Sequence, residues 1–171
     1  MRRVAIAFAA ATLAVTGAVG HAQPKDLTPK ATADHLAEIG VWKFAATKKG
    51  PDGKPECVET WTFSGDGSGW VQSGEERTTF SWFVEAGDST DRIVWRKSLT
   101  TNGAPDCMGK KSDPAKYPKS NETGFVIMFF NSGHALTCRP AAYVMRNGEL
   151  TEQRILRDED CWGSLTPAKV D

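Results

Sequence analysis

Between Val41 and Arg157, large apolar residues return at every second position in short runs, and glycine, asparagine and proline fill the gaps. Alternation of this kind marks a half-buried strand, because successive side chains leave a strand on opposite faces. The pattern predicts about nine strands. Val41-Trp42-Lys43-Phe44-Ala45 is the first. Cys57 to Ser64 is the second, with Cys57, Glu59, Trp61 and Phe63 on one heavy face. Gly65 to Gly69 is a tight turn, and Trp70-Val71-Gln72 begins the third. Arg77 to Glu85 is the fourth, with Phe80, Trp82 and Val84 on one face. Arg92 to Leu99 is the fifth, with Ile93, Trp95 and Leu99 alternating. Gly124 to Phe130 is apolar on both faces and short for a helix, so it reads as a strand buried on both sides. Ala135 to Arg139 follows. Ala142 to Arg146 and Leu150 to Arg157 then join through Asn147-Gly148, a dipeptide favoured in two-residue hairpins.

Ahead of the strands, Leu27 to Ile39 reads as a short helix. Thr28 caps it, Pro29 suits its first turn and Gly40 suits the position past its end. No segment between the strands is long enough for a parallel crossover helix. The expected fold is all-β: an antiparallel up-and-down barrel of about 8–9 strands with a short N-terminal helix, closed so that no edge is left exposed. Two loops interrupt the pattern, Lys48 to Pro55 and the longer Thr100 to Thr123. The second carries Cys107, Tyr117, three prolines and four lysines. A connection of that length is often functional, and its lysines and Tyr117 suit an anionic ligand or an acidic partner. A solvated loop held by one disulfide is the simpler reading.

Composition adds an address. Met1-Arg2-Arg3 precedes an uncharged run from Val4 to Val19, and the small residues Gly20 and Ala22 flank His21. That is the layout of a secretory signal peptide. Residues 1–22 are therefore set apart, with 23–40 as the segment bearing the helix, 41–163 as the barrel and 164–171 as a C-terminal tail. The expected location is exported, periplasmic or secreted, with no stable membrane span once the signal is cleaved. The 21 basic and 21 acidic residues balance, so charge gives no reason to expect nucleic acid.

Gly40-Val41-Trp42, at the start of the first strand and just after a short helix, resembles the Gly-x-Trp of the lipocalin or calycin group. The resemblance covers the order of elements over roughly 40–157. It implies an eight-stranded barrel with room for one small apolar molecule. It also implies that Trp42 closes one end and that an arginine of the last strand, Arg154 or Arg157, packs over it.

All four cysteines, Cys57, Cys107, Cys138 and Cys161, lie in the exported part, and an even number there argues for two disulfides. In a meander, alternate turns share an end, which gathers all four at one end of the barrel. Cys57 with Cys107 and Cys138 with Cys161 are the preferred pairs. Cys57 with Cys161 competes, because first and last strands meet on closure.

The expected function is the binding of a small apolar or amphipathic ligand, with Trp61, Phe63, Trp82, Trp95 and Tyr117 as candidate contacts. Buried indole N–H groups need acceptors, for which Glu59 and neighbouring Thr and Gln side chains are suited. The alternative is a protein-binding module, an inhibitor or envelope interaction protein, that uses the stapled loops. No enzyme activity, cofactor or metal is expected. Ser132 and His134 are too close in sequence to suggest a triad, and the acidic pairs such as Glu75-Glu76 sit beside turns, where carboxylates are usually solvated.

Overall fold

Eight antiparallel strands close into a barrel in the computed structural model, which describes residues 28–87, 92–117, 122–130, 132–140, 143–146, 149–153 and 160–168. The segment read as a signal peptide lies outside these residues.

Helix α1 spans Pro29–Ile39. The Thr28 hydroxyl accepts from the Ala31 N–H at 3.1 Å, and Gly40 ends the helix at φ 72, donating its N–H to the Leu36 carbonyl. A left-handed backbone suits glycine because it has no Cβ to clash. Leu36 and Thr32 are buried, and the helix packs on the barrel where the first strand begins.

The strands are β1 Val41–Ala46, β2 Val58–Phe63, β3 Ser68–Ser73, β4 Glu76–Ala86, β5 Arg92–Thr101, β6 Glu122–Phe129, β7 Ala135–Cys138, β8 Tyr143–Arg146, β9 Glu149–Gln153 and β10 Cys161–Pro167. Around the barrel they run β1-β10-β7-β6-β5-β4-β3-β2, with β2 back against β1. The β2–β3 turn is fixed by the Asp66 carboxylate, which accepts from the Ser68 hydroxyl and N–H; these bonds hold its carboxyl below the usual aspartate range.

Closure differs from the expectation in one respect. Of the hairpin expected over 142–157, Tyr143–Arg146 and Glu149–Gln153 do pair, but β8 and β9 make a separate two-stranded sheet; Asn147-Gly148 and residues 154–157 lie outside the described residues. The strand that closes the barrel is β10, which pairs with β1 through Phe44 opposite Leu165 and with β7 through Ala135 opposite Leu165. The barrel therefore runs past residue 163 into the segment expected to be a tail. Alternation alone did not reveal it, because Cys161-Trp162-Gly163-Ser164-Leu165 contains a bulge between Cys161 and Gly163. A bulge adds one residue and breaks the period of two.

Inside, Trp42, Phe44, Trp61, Phe63, Phe80, Phe125, Val94 and Leu165 form one continuous core. Phe44 stacks on Trp61 with centroids 4.9 Å apart, and Phe63 meets Trp82 edge-on at 5.0 Å. Two glycines make room for these rings. A Cβ at Gly163 would fall 1.8 Å from Phe44, and one at Gly69 would fall 2.5 Å from Phe80. β6 is buried on both faces as expected: Phe125 and Ile127 point in, while Val126 lies outside in a row with Cys138 and Cys161.

Candidate ligand-binding site

The meander gives the barrel two unlike ends. Helix α1 and the turns after β2, β4 and β6 occupy one. There Trp42 donates its indole N–H to the Leu36 carbonyl at 3.1 Å and clusters with His35 and Phe129, with centroids 6.3 and 6.2 Å away, while those two rings meet edge-on at 4.9 Å. This end is closed by α1. Arg154 and Arg157, expected over Trp42, lie outside the described residues.

The other end gathers the loops after β1, β3, β5 and β7, and with them all four cysteines. The disulfides are Cys57–Cys107 and Cys138–Cys161. The first ties the long β5–β6 loop to the start of β2. That loop is further anchored by Glu75 and Glu76 N–H groups on the Pro105 carbonyl and by the Cys107 N–H on the Ser73 hydroxyl. Residues 114–116 form a short 3-10 turn, Pro114–Lys116, capped by the Asp113 carboxylate. The loop thus has internal structure, and it carries half-buried Tyr117.

Beneath this loop the interior becomes polar. Glu59 of β2 accepts the Trp61 indole N–H at 2.6 Å, the acceptor role expected of it. Arg96 of β5 reaches across the barrel and lays its guanidinium over the Trp61 ring at 4.2 Å and the Phe80 ring at 5.1 Å. The residue as a whole is half-buried, but Nε and Nη1 are shut off from water and meet no acceptor among the described residues. Burial pushes the guanidinium down to about 10, and the charges of Glu59 and then Tyr117 oppose the fall. Trp162, turned inward at the bulge, closes the arrangement with rings 5.2 Å from Phe44 and 5.9 Å from both Trp61 and Phe125.

The expected contact residues divide. Trp61, Phe63 and Trp82 do point into the barrel, where they are 1%, 1% and 6% exposed and packed on one another and on Phe80. Trp95 does not join them. It faces outward opposite Phe83 and lies against Gly124, where a Cβ would come within 2.8 Å of its ring. The inward residues of β5 are Val94 and Arg96, so the heavy face of this strand is its outer one. An aromatic ring covering a cross-strand glycine is a known way to shield bare backbone. Tyr117 stands at the mouth, close enough to Arg96 to interact electrostatically.

Arg96 and Trp162 were missed by the sequence reading. The clue for Arg96 is its pairing opposite Trp82, which needs the register of two strands. Glu76 also departs from expectation: it is buried and accepts from the Thr101 hydroxyl at 2.6 Å.

Cys57, Cys107 and Glu59 lie close enough together to suggest a metal centre, but both cysteines are spent in the disulfide and offer no thiolate. Ser132 and His134 hydrogen-bond in the exposed β6–β7 turn, where the imidazole stacks on Phe130 at 4.6 Å, at the opposite end from Arg96. No helix among the described residues is long and apolar enough to cross a membrane. Comparison with family models, with curated proteins and with solved structures finds no match to this chain.

Proposed function

We propose that this chain is an exported, lipocalin-like barrel that binds one small amphipathic ligand at its disulfide-stapled end, without catalysis. Arg96 carries the reading. A cation whose inner N–H groups lack acceptors is costly in a protein interior unless a partner arrives. It sits at the end where Glu59, Tyr117 and Trp162 are all half-buried, beneath a loop of considerable length. The lipocalin likeness draws support from the closed eight-stranded barrel and from Gly40-Val41-Trp42 entering β1 directly from α1. Export draws support from two disulfides and from the basic, then apolar, opening of the sequence. A wholly apolar ligand deep in the barrel has less support, because Trp61, Phe63 and Trp82 are filled by one another's rings.

Native mass spectrometry of the protein purified from its own host, followed by organic extraction, tests this. A discrete added mass that leaves with the solvent is the expected result. A bare chain would favour the second reading, a protein-binding module. One observation speaks for that alternative: Val58 and Met108, each next to a cysteine of the Cys57–Cys107 bridge, are 42% and 48% exposed. Under that reading Met108→Asp releases a co-purifying partner; under the carrier reading it leaves the bound mass in place.

A further inference from the structure

Arg96 and Glu59 share one end of the barrel interior, and each keeps hydrogen-bonding capacity that no described residue fills. On Arg96 the unfilled atoms are Nε and Nη1. Trp61 and Phe80 engage the faces of the guanidinium, whereas its N–H groups lie along the edges, so stacking leaves them unmet. On Glu59, Oε2 takes the Trp61 indole N–H, while Oε1 faces Cys57 Sγ at 3.5 Å and Cys107 Sγ at 3.9 Å. Those sulfurs are bonded to each other and carry no hydrogen, so Oε1 is an acceptor with no donor among the described residues. The two charges attract, yet no ion pair joins them among the described residues.

An unmet cation edge and an unmet carboxylate oxygen lie at one end of the barrel interior, and their charges sum to zero. We infer that this end of the barrel binds a small zwitterion with an apolar body, its oxyanion on Arg96 and its ammonium on Glu59 Oε1, beneath the loop that carries Tyr117. A simple anion leaves Glu59 as an uncompensated neighbour, a simple cation meets Arg96 in the same way, and an apolar molecule leaves both groups unpartnered. Charge-assisted hydrogen bonds are roughly twice as strong as neutral ones, which favours ammonium and oxyanion over hydroxyl or amide. The half-buried ring of Trp162 offers the apolar body a surface. This inference rests on the ligand-binding reading above and fixes the class of its head group.

The test holds the apolar body constant and varies the head. Calorimetric titration of the full disulfide-bonded protein compares 2-aminodecanoic acid, decanoic acid, decylamine and decanol. The zwitterion binds at least roughly tenfold more tightly than either singly charged probe, since one hydrogen bond to a charged group is worth about that factor. Arg96→Met brings its affinity down to near that of decylamine, and Glu59→Gln to near that of decanoic acid. Both variants are checked by circular dichroism and thermal melting, and the near-isosteric Glu59→Gln keeps the inference falsifiable should Arg96→Met not fold. Equal affinity for all four probes overturns the zwitterion assignment and leaves the barrel a carrier. No binding of any probe, together with a bare native mass, overturns both.

Discussion

Arg96 places a cation inside a barrel that its neighbours otherwise fill with rings. Its guanidinium is lowered to about 10 from the ordinary arginine value, mainly by burial. The unfolded chain therefore binds more protons than the folded one between those values. Stability from this group is lowest below about pH 10 and rises as pH climbs through that window toward the ordinary arginine value. At neutral pH the charged group is a net burden, partly offset by its stacking on two rings. Arg96→Met should leave the protein at least as stable as the parent, and up to a few degrees higher in Tm. A loss of more than about 2 kcal/mol in urea unfolding would show that Arg96 is a structural keystone instead. Gly163 makes the opposite prediction. A Cβ there meets Phe44 at 1.8 Å, and Phe44 is itself held against Trp61. Gly163→Ala should destabilise by about 3 kcal/mol, the upper range for overpacking, visible as a lower urea midpoint with an unchanged slope.

Among the elements, α1 is the one whose role is easiest to isolate. It reaches the barrel through Leu36, fully buried, whose carbonyl also takes the Trp42 indole N–H. Leu36→Ala removes the side chain and leaves that carbonyl in place. The expected loss is about 3 kcal/mol from the cavity, with Trp42 fluorescence shifting to the red as water approaches. A loss below roughly 0.5 kcal/mol would mean that the helix does not close this end. The helix was legible in advance because its limits are local: Thr28, Pro29 and Gly40 act on their own backbone. β5 was harder. Ile93, Trp95 and Leu99 alternate as cleanly as Val94 and Arg96, and a strand by itself does not say which of its faces turns inward. β10 was missed because its bulge breaks the period and its apolar residues are few.

At the scale of the whole molecule, the two disulfides lock one end of the barrel while helix packing closes the other. They enclose chain segments with sequence separations of 50 and 23 residues. Loop-closure arithmetic gives about 4 and 3.5 kcal/mol as upper values for each. Those are large shares of a typical total of about 5–15 kcal/mol. Replacing Cys138 and Cys161 by alanine should lower stability by up to that second amount without touching ligand affinity, since this bridge lies on the outer wall beside Val126. Replacing Cys57 and Cys107 should do both, because that bridge ties the Tyr117 loop over Glu59 and Arg96. Equal effects of the two replacements on 2-aminodecanoic acid binding would separate the loop from the site.

The sequence by itself determined the all-β class, the helix and its caps, the antiparallel order and the gathering of all four cysteines at one end. Each of these follows from short-range patterns: a period of two, turn residues at fixed offsets, and the parity of turns in a meander. The choice of Cys57–Cys107 over Cys57–Cys161 came from the tertiary structure. Tertiary structure alone decided that β10 closes the barrel and that β8–β9 stands apart. It turned Trp95 outward, brought Arg96 over Trp61, and set Glu59 against a disulfide. These depend on register between strands distant in sequence, where a shift of one residue exchanges the inner face for the outer.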